Sequence, residues 1–268
     1  MTADMRLQEI TGDSWQRGLR PLLRRENRQW WGGRRGLVQL LLWSLLFNGL
    51  LLFALYLLPD MAAAEGEMLS TGQALVEGQQ LFFGLGIVLL ALGAIVLLQD
   101  AFIEEKTSGT AEWVLSKPVS RTAFVLAKLL PNLLGMAVTM LLVPGLIGYF
   151  IMRQFDATAV TLSGFLASWG IVGLHLLFYI TLTLLLGVLF TTRAPLLGVA
   201  LGSLFGGSLV PVAQILQFTP WKLGNVALLP VMGMPLPPVA ITMLVSTAVW
   251  SLLFIAVAIW QFNRQEIT

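Results

Sequence analysis

The chain of 268 residues has no cysteine and a single histidine. Disulfides, thiolate metal sites and cysteine nucleophiles are therefore excluded. His175 has no second histidine with which to build a metal site, and its expected role is a hydrogen bond to a neighbouring helix. Charge is scarce as well: 11% of residues are Asp, Glu, Lys or Arg, against about 25% in an ordinary soluble domain. No Gly-Lys pair occurs, so there is no G-x-x-x-x-G-K-[ST] phosphate loop and no ATP binding by that route. The interiors of the apolar runs contain no Asp or Glu, which argues against a proton- or ion-coupled carrier, because such carriers keep ionisable groups at membrane depth. Asn48, Gln214 and Gln217 are polar there but uncharged, so a carrier of an uncharged solute stays open. No catalytic, cofactor-binding or metal-binding constellation is left, and no nucleic-acid partner is expected.

What the chain has is apolar length. Hydrophobic residues make up 57% of it, and several runs reach the roughly 20 residues that a helix needs to cross a bilayer. Six spans are predicted, at Gly36–Leu58, Leu81–Leu98, Thr122–Met152, Leu162–Phe190, Ala194–Phe218 and Val239–Phe262. Their unalternating pattern reads as helix, so the fold class is an all-α polytopic membrane protein. The first run is too long, and too far from the start, for a cleaved leader with a short basic segment and 7–15 apolar residues.

Lys and Arg favour cytoplasmic loops. Arg6, Arg17, Arg20, Arg24, Arg25, Arg28, Arg34 and Arg35 precede the first span. Lys106, Lys117, Arg121 and Lys128 cluster between the second and third, and Arg193 and Arg264 lie at later turns on the same side. Only Arg153 and Lys222 fall on the other side, a division of fourteen to two among the 16 basic residues. Both termini and the 99–121 loop are thus expected in the cytoplasm of a cell membrane. Asp100 and Lys128 fall near the cytoplasmic ends of spans, where a long side chain can reach the headgroups.

The longest stretch of mixed charge, EEKTSGTAEWVLSKPVSR at 104–121, is the most informative. Thr107-Ser108-Gly109 reads as a helix start, with Glu112 in the first turn. Pro118 ends that element after about two turns, and Ser120 can cap the following helix. A two-turn helix at 110–116 is too short to stand alone in water. Its Trp113, Val114 and Leu115 therefore need a surface, which is either the headgroup layer or a cytoplasmic partner. Glu104 to Thr110, followed by Glu112 to Arg121, resembles the cytoplasmic loop of type-2 ABC exporter membrane subunits: an acidic-basic cluster, Ser-Gly-Thr, a short apolar helix, Pro and Ser-Arg. The resemblance implies a coupling helix that docks into an ATP-binding subunit. Glu104, Glu105, Thr107, Ser108, Gly109, Thr110, Glu112, Trp113, Val114, Leu115, Lys117, Pro118 and Arg121 would be the docking residues. It also implies two copies of that subunit, which would hold the ATP and Mg, and a pathway formed with a second copy of this chain or a paralogous permease.

Three further segments fit that frame. In 1–35, Trp15, Leu19, Leu22, Leu23 and Trp30 share one helical face with arginines around the rest. This suits a helix lying on anionic lipid, and the family places an elbow helix there; plain topology-setting charge is the other reading. Gly198, Gly202 and Gly206 put a small residue at every fourth position of the fifth span, which serves close packing within the subunit or at a dimer seam. The family puts its seam there. The outer segment 219–238 is proline-punctuated and half apolar, either short re-entrant or interfacial helices or a loose loop. The remaining division is a transmembrane domain at 36–262 and a tail at 263–268. Besides the uncharged-solute carrier, a non-transporting membrane scaffold competes with the exporter reading.

Overall fold

A computed structural model describes residues 15–110, 116–209 and 213–265. Among them the regular structure is helical throughout. Helix α1 spans Leu19–Trp31. Five helices are long and apolar enough to cross a membrane: α2 (Arg35–Ala64), α3 (Thr71–Thr107), α4 (Arg121–Phe155), α5 (Leu162–Leu189) and, last in the chain, α7 (Pro238–Arg264). Between the last two lies α6 (Arg193–Gly206), which is shorter. The chain is a helical membrane protein by this architecture, since backbone groups in lipid must be satisfied within the segment.

Local sequence sets the helix starts. Ser70 opens α3 with a capping box, its side chain accepting from Gln73 N while the Gln73 side chain receives the Ser70 N–H. Ser120 caps α4 through a bond from Ala123 N, and Thr161 caps α5 through one from Gly164 N. Pro238 occupies the first turn of α7, where a missing N–H costs nothing. Within α4, Pro144 cannot donate to the preceding turn, and a π-helical turn at Ala137–Leu142 lies just before it. There the carbonyl of Leu141 accepts a bond from Trp169 Nε1 of α5 at 2.9 Å.

Helix α5 is the axis of the fold. In its most apolar stretch 83% of residues are buried, against 22% in α7 and 33% in α2. It packs against α3, α7 and the short helix Leu223–Ala227, while α2 packs on α4 and α1 on the first half of α4. An aromatic cluster of Phe47, Phe82, Phe83, Phe165 and Trp169 joins α2, α3 and α5, with ring centroids 4.9–6.3 Å apart.

Two expected boundaries move. The second span is part of a 37-residue helix that begins at Thr71, ten positions before the apolar run, because the capping box starts it in polar sequence. The fifth expected span, 194–218, is not one regular helix. It passes into a π turn at Gly202–Gly206 and a 3-10 turn at Gly207–Leu209, and Ala213–Leu216 forms a separate turn of helix. Glycine costs about 1 kcal/mol relative to alanine inside a helix, and this run concentrates it.

Candidate functional site

The expected amphipathic helix at the N-terminus forms, but its inner face is not purely apolar. Leu22, Glu26 and Trp30 recur every fourth residue of α1, and all three are buried. They meet α4. Gly135 of α4 admits the Trp30 indole, since a Cβ there would lie 2.4 Å from the ring. Trp30 Nε1 donates to Asn132 Oδ1 at 2.9 Å, and Asn132 Nδ2 donates to the Lys128 carbonyl at 2.7 Å. Leu19 and Leu23 pack at the edge of this contact, whereas Trp15 is exposed. The apolar face of α1 is thus covered by protein rather than laid on lipid.

One turn below, Lys128 is 6% exposed. Its Nζ lies 2.8 Å from Glu26 Oε1 of α1 and 2.6 Å from Glu105 Oε1 of α3. Arg25 closes the group with a 3.2 Å contact to Glu105 Oε1. Lys128 therefore does not reach headgroups, as its place in the sequence suggests. It is the centre of a cluster in which two cations meet two anions, joining α1, α3 and α4. Arg35 lies beside it, its guanidinium 4.6 Å over the Trp30 ring and its Nη2 3.4 Å from the Leu97 carbonyl. A polar cavity of about 380 Å³ opens next to the cluster, lined by Arg35, Asp100, Glu104, Glu105, Ser108 and Thr110 among others. Among the described residues none pairs with the second carboxylate oxygen of Glu105, which is buried.

The 104–121 loop grows out of this cluster. Helix α3 runs through Thr107, and Gly109 adopts a left-handed φ of 69°. Ser-Gly therefore stops α3, with glycine just past the helix end, and Thr110 after it is again helical. Glu104, Thr107, Ser108, Lys117 and Pro118 are exposed, and Thr110 is half-buried with a 2.8 Å contact to Ser108 Oγ. Glu105 turns inward to Lys128. The two remaining described cations cap helix ends inside the chain, where carbonyls and the dipole favour positive charge. Lys106 Nζ donates to the carbonyls of Gly187 and Val188 at 3.0 and 2.6 Å. Arg121 Nη1 donates to those of Asn263 and Gln265 at 2.9 and 2.6 Å. Ser120 N donates to the Arg17 carbonyl at 3.0 Å, and Ser120 Oγ to that of Trp15, so the start of α4 is tied to the segment before α1. Glu112, Trp113, Val114 and Leu115 lie outside the described residues.

A family model described as "Protein of unknown function (DUF2705)" matches residues 36–268. The chain belongs to that family. No curated protein matches it. The DUF2705 match begins one residue into α2, so it includes Glu105 and Lys128 of the charge cluster but not Glu26 of α1.

The opposite end of this DUF2705 chain is organised by the 219–238 segment. It is not a loose loop: Leu223, Val226, Ala227 and Val231 are buried, and Val231 N donates to the buried Ser168 Oγ at 2.9 Å. Trp250 Nε1 of α7 donates to the Phe218 carbonyl at 3.0 Å. Trp221 lies flat on Gly207, where a Cβ would come within 2.2 Å of the indole, and this contact accounts for one glycine of the run. Gly198, Gly202 and Gly206 are different. A Cβ at any of them meets nothing within 4 Å, so the stripe does not serve packing within the chain among the described residues. His175 is buried beside Tyr179, with ring centroids 4.9 Å apart, and hydrogen-bonds the backbone of Ile87 in α3.

Proposed function

We propose that this chain is the membrane subunit of a type-2 ABC exporter, working as a dimer with separate ATP-binding subunits that hold ATP and Mg. The observation that carries the reading is the junction at the root of the 104–121 loop. The loop leaves α3 one turn after Glu105, and Glu105, Glu26 and Lys128 bind α3, α1 and α4 into one body. A partner pushing on the loop would therefore move three helices together. In this reading α1 is the elbow helix, residues 110–116 are the coupling helix, α6 with the turns after it completes a sixth span, and the open face of Gly198, Gly202 and Gly206 meets the second subunit. Both termini are cytoplasmic. The chain itself catalyses nothing; hydrolysis belongs to the partner.

The test is co-purification with an ATP-binding subunit encoded beside this chain, followed by reconstitution in lipid. Trp113→Ala removes the largest apolar side chain of the loop. Loss of such an anchor costs roughly 2–4 kcal/mol of docking, which is about 30- to 1000-fold in affinity. Stimulation of the ATPase is expected to disappear while the variant still inserts and folds. Wild-type binding and stimulation by a folded variant would remove the basis of the exporter reading. Orientation is checked by single cysteines in the cysteine-free chain. In intact cells a membrane-impermeant reagent is expected to label Glu65→Cys and to spare Ser108→Cys; the reverse pattern would overturn the topology.

A further inference from the structure

At the end closed by residues 219–238, two cavities share a wall. The first, of about 460 Å³, lies between α3, α5 and the short helix Leu223–Ala227; Gln80, His175, Tyr179, Trp221 and Asn225 supply its polar groups. Among the described residues no Asp, Glu, Lys or Arg lines it. The second, of about 490 Å³, is almost wholly apolar, with Phe178, Leu182, Phe218, Trp250 and Phe254 around it and Val199 at its edge. Trp221 lines both. Ser203 Oγ holds the partition, accepting from Trp221 Nε1 at 3.1 Å and lying 3.4 Å from the Tyr179 hydroxyl. Each volume falls within the range of about 300–1,000 Å³ typical of small-molecule sites.

His175 makes the first cavity specific. The residue is 5% exposed, its ring is held by the Ile87 backbone, and its Nδ1 has no partner among the described residues. A buried ring nitrogen left as an acceptor calls for a donor. A charged head would enter without a countercharge and lose its hydration, which is expensive in such surroundings. A purely apolar ligand would fill the second cavity and leave the polar groups of the first unanswered. We infer that the two cavities form one binding site, joined where a ligand displaces the Trp221–Ser203 hydrogen bond that divides them, for an uncharged amphiphile, a hydroxyl- or amide-headed molecule whose head donates to His175 and whose hydrocarbon tail lies against Phe178, Phe218 and Trp250. The site requires neither ATP nor a partner subunit, so it stands apart from the exporter reading.

Three brominated probes, each titrated into the full chain in detergent, separate the possibilities through quenching of tryptophan fluorescence: a monoacylglycerol, the corresponding fatty acid and the corresponding alkane. Saturable quenching by the monoacylglycerol alone is expected, lost on replacing both Trp221 and Trp250 by Phe. His175→Leu should weaken it about ten-fold, as expected for a lost hydrogen bond. Val199→Trp fills the apolar cavity from its exposed edge, leaves His175 in place and should abolish saturable quenching, so the test survives a folding defect in the His175 variant. Equal quenching by all three probes, or a monoacylglycerol titration unchanged in His175→Leu or Val199→Trp, would overturn the site and leave ordinary contact with lipid tails.

Discussion

The α1 end of the molecule and the end closed by residues 219–238 bury polar groups in opposite ways. At the first, full charges are brought together and cancel: Lys128 and Arg25 against Glu26 and Glu105. At the second, the buried polar groups are neutral, and His175 keeps a ring nitrogen without a partner among the described residues. A charge cluster balances its charges internally, although one oxygen of Glu105 is unpaired among the described residues, and it is rigid, because removal of one member leaves another charged and buried. A neutral chamber is incomplete but tolerant, with capacity left for a ligand. One end is built to hold helices together; the other is built to accept something.

The largest expected break in this contrast is at Lys128. Lys128→Met strands the buried Glu26 and leaves Glu105 with only Arg25, and should cost about 3–5 kcal/mol, read as a shift in denaturant-induced unfolding of the purified chain. Adding Glu26→Gln and Glu105→Gln removes the stranded charges and should restore much of the loss. His175→Leu, at the neutral end, should change stability far less, because no charge is left behind. Equal losses at the two ends would erase the distinction.

Glycine sharpens the comparison at the next level. Gly135→Ala drives a Cβ into Trp30 and Gly207→Ala drives one into Trp221, and overpacking of this kind costs about 1–3 kcal/mol. Gly202→Ala meets nothing and should be neutral or gain up to about 1 kcal/mol from helix propensity. Gly202→Leu should leave the isolated chain folded yet weaken its self-association in native mass measurements, since the open stripe is what allows a close approach. An unchanged dimer would separate the stripe from the seam. Asp100→Asn should do least. The Arg193–Asp100 pair has side chains 60% and 34% exposed, and exposed pairs contribute about 0–1 kcal/mol.

Much of the fold was legible because apolar length and helix caps are local signals. Ser120 as a cap and Leu19, Leu22, Leu23 and Trp30 as one face of α1 could be read directly from spacing, but not that α4 covers that face, that Glu26 belongs to it, or that Trp15 is exposed. What could not be read was long-range pairing. Lys128 inside an apolar run has no near neighbour of opposite charge, and its partners lie 102 and 23 positions away. A signal existed on each side: an isolated lysine in a span requires a counterion, and Glu26 interrupts an otherwise apolar stripe between Leu22 and Trp30. Neither says which pairs with which. Gly207 was hidden in the same way, because its reason is an indole fourteen residues on. The Ser108-Gly109 pair serves two ends at once: the same residues that favour a helix start also favour a stop, so they end α3 at Thr107, beyond its apolar run, and Thr110 just after them is again helical.

The claim that α1 and α4 form one charged unit is tested most directly by a double-mutant cycle on Glu26 and Lys128. Unfolding free energies of the wild type, Glu26→Gln, Lys128→Met and the double variant suffice. The account predicts that the double variant loses less than the two single losses added together, by about 0.5–3 kcal/mol. Additive losses would show that the 2.8 Å contact holds nothing together, and would contradict it.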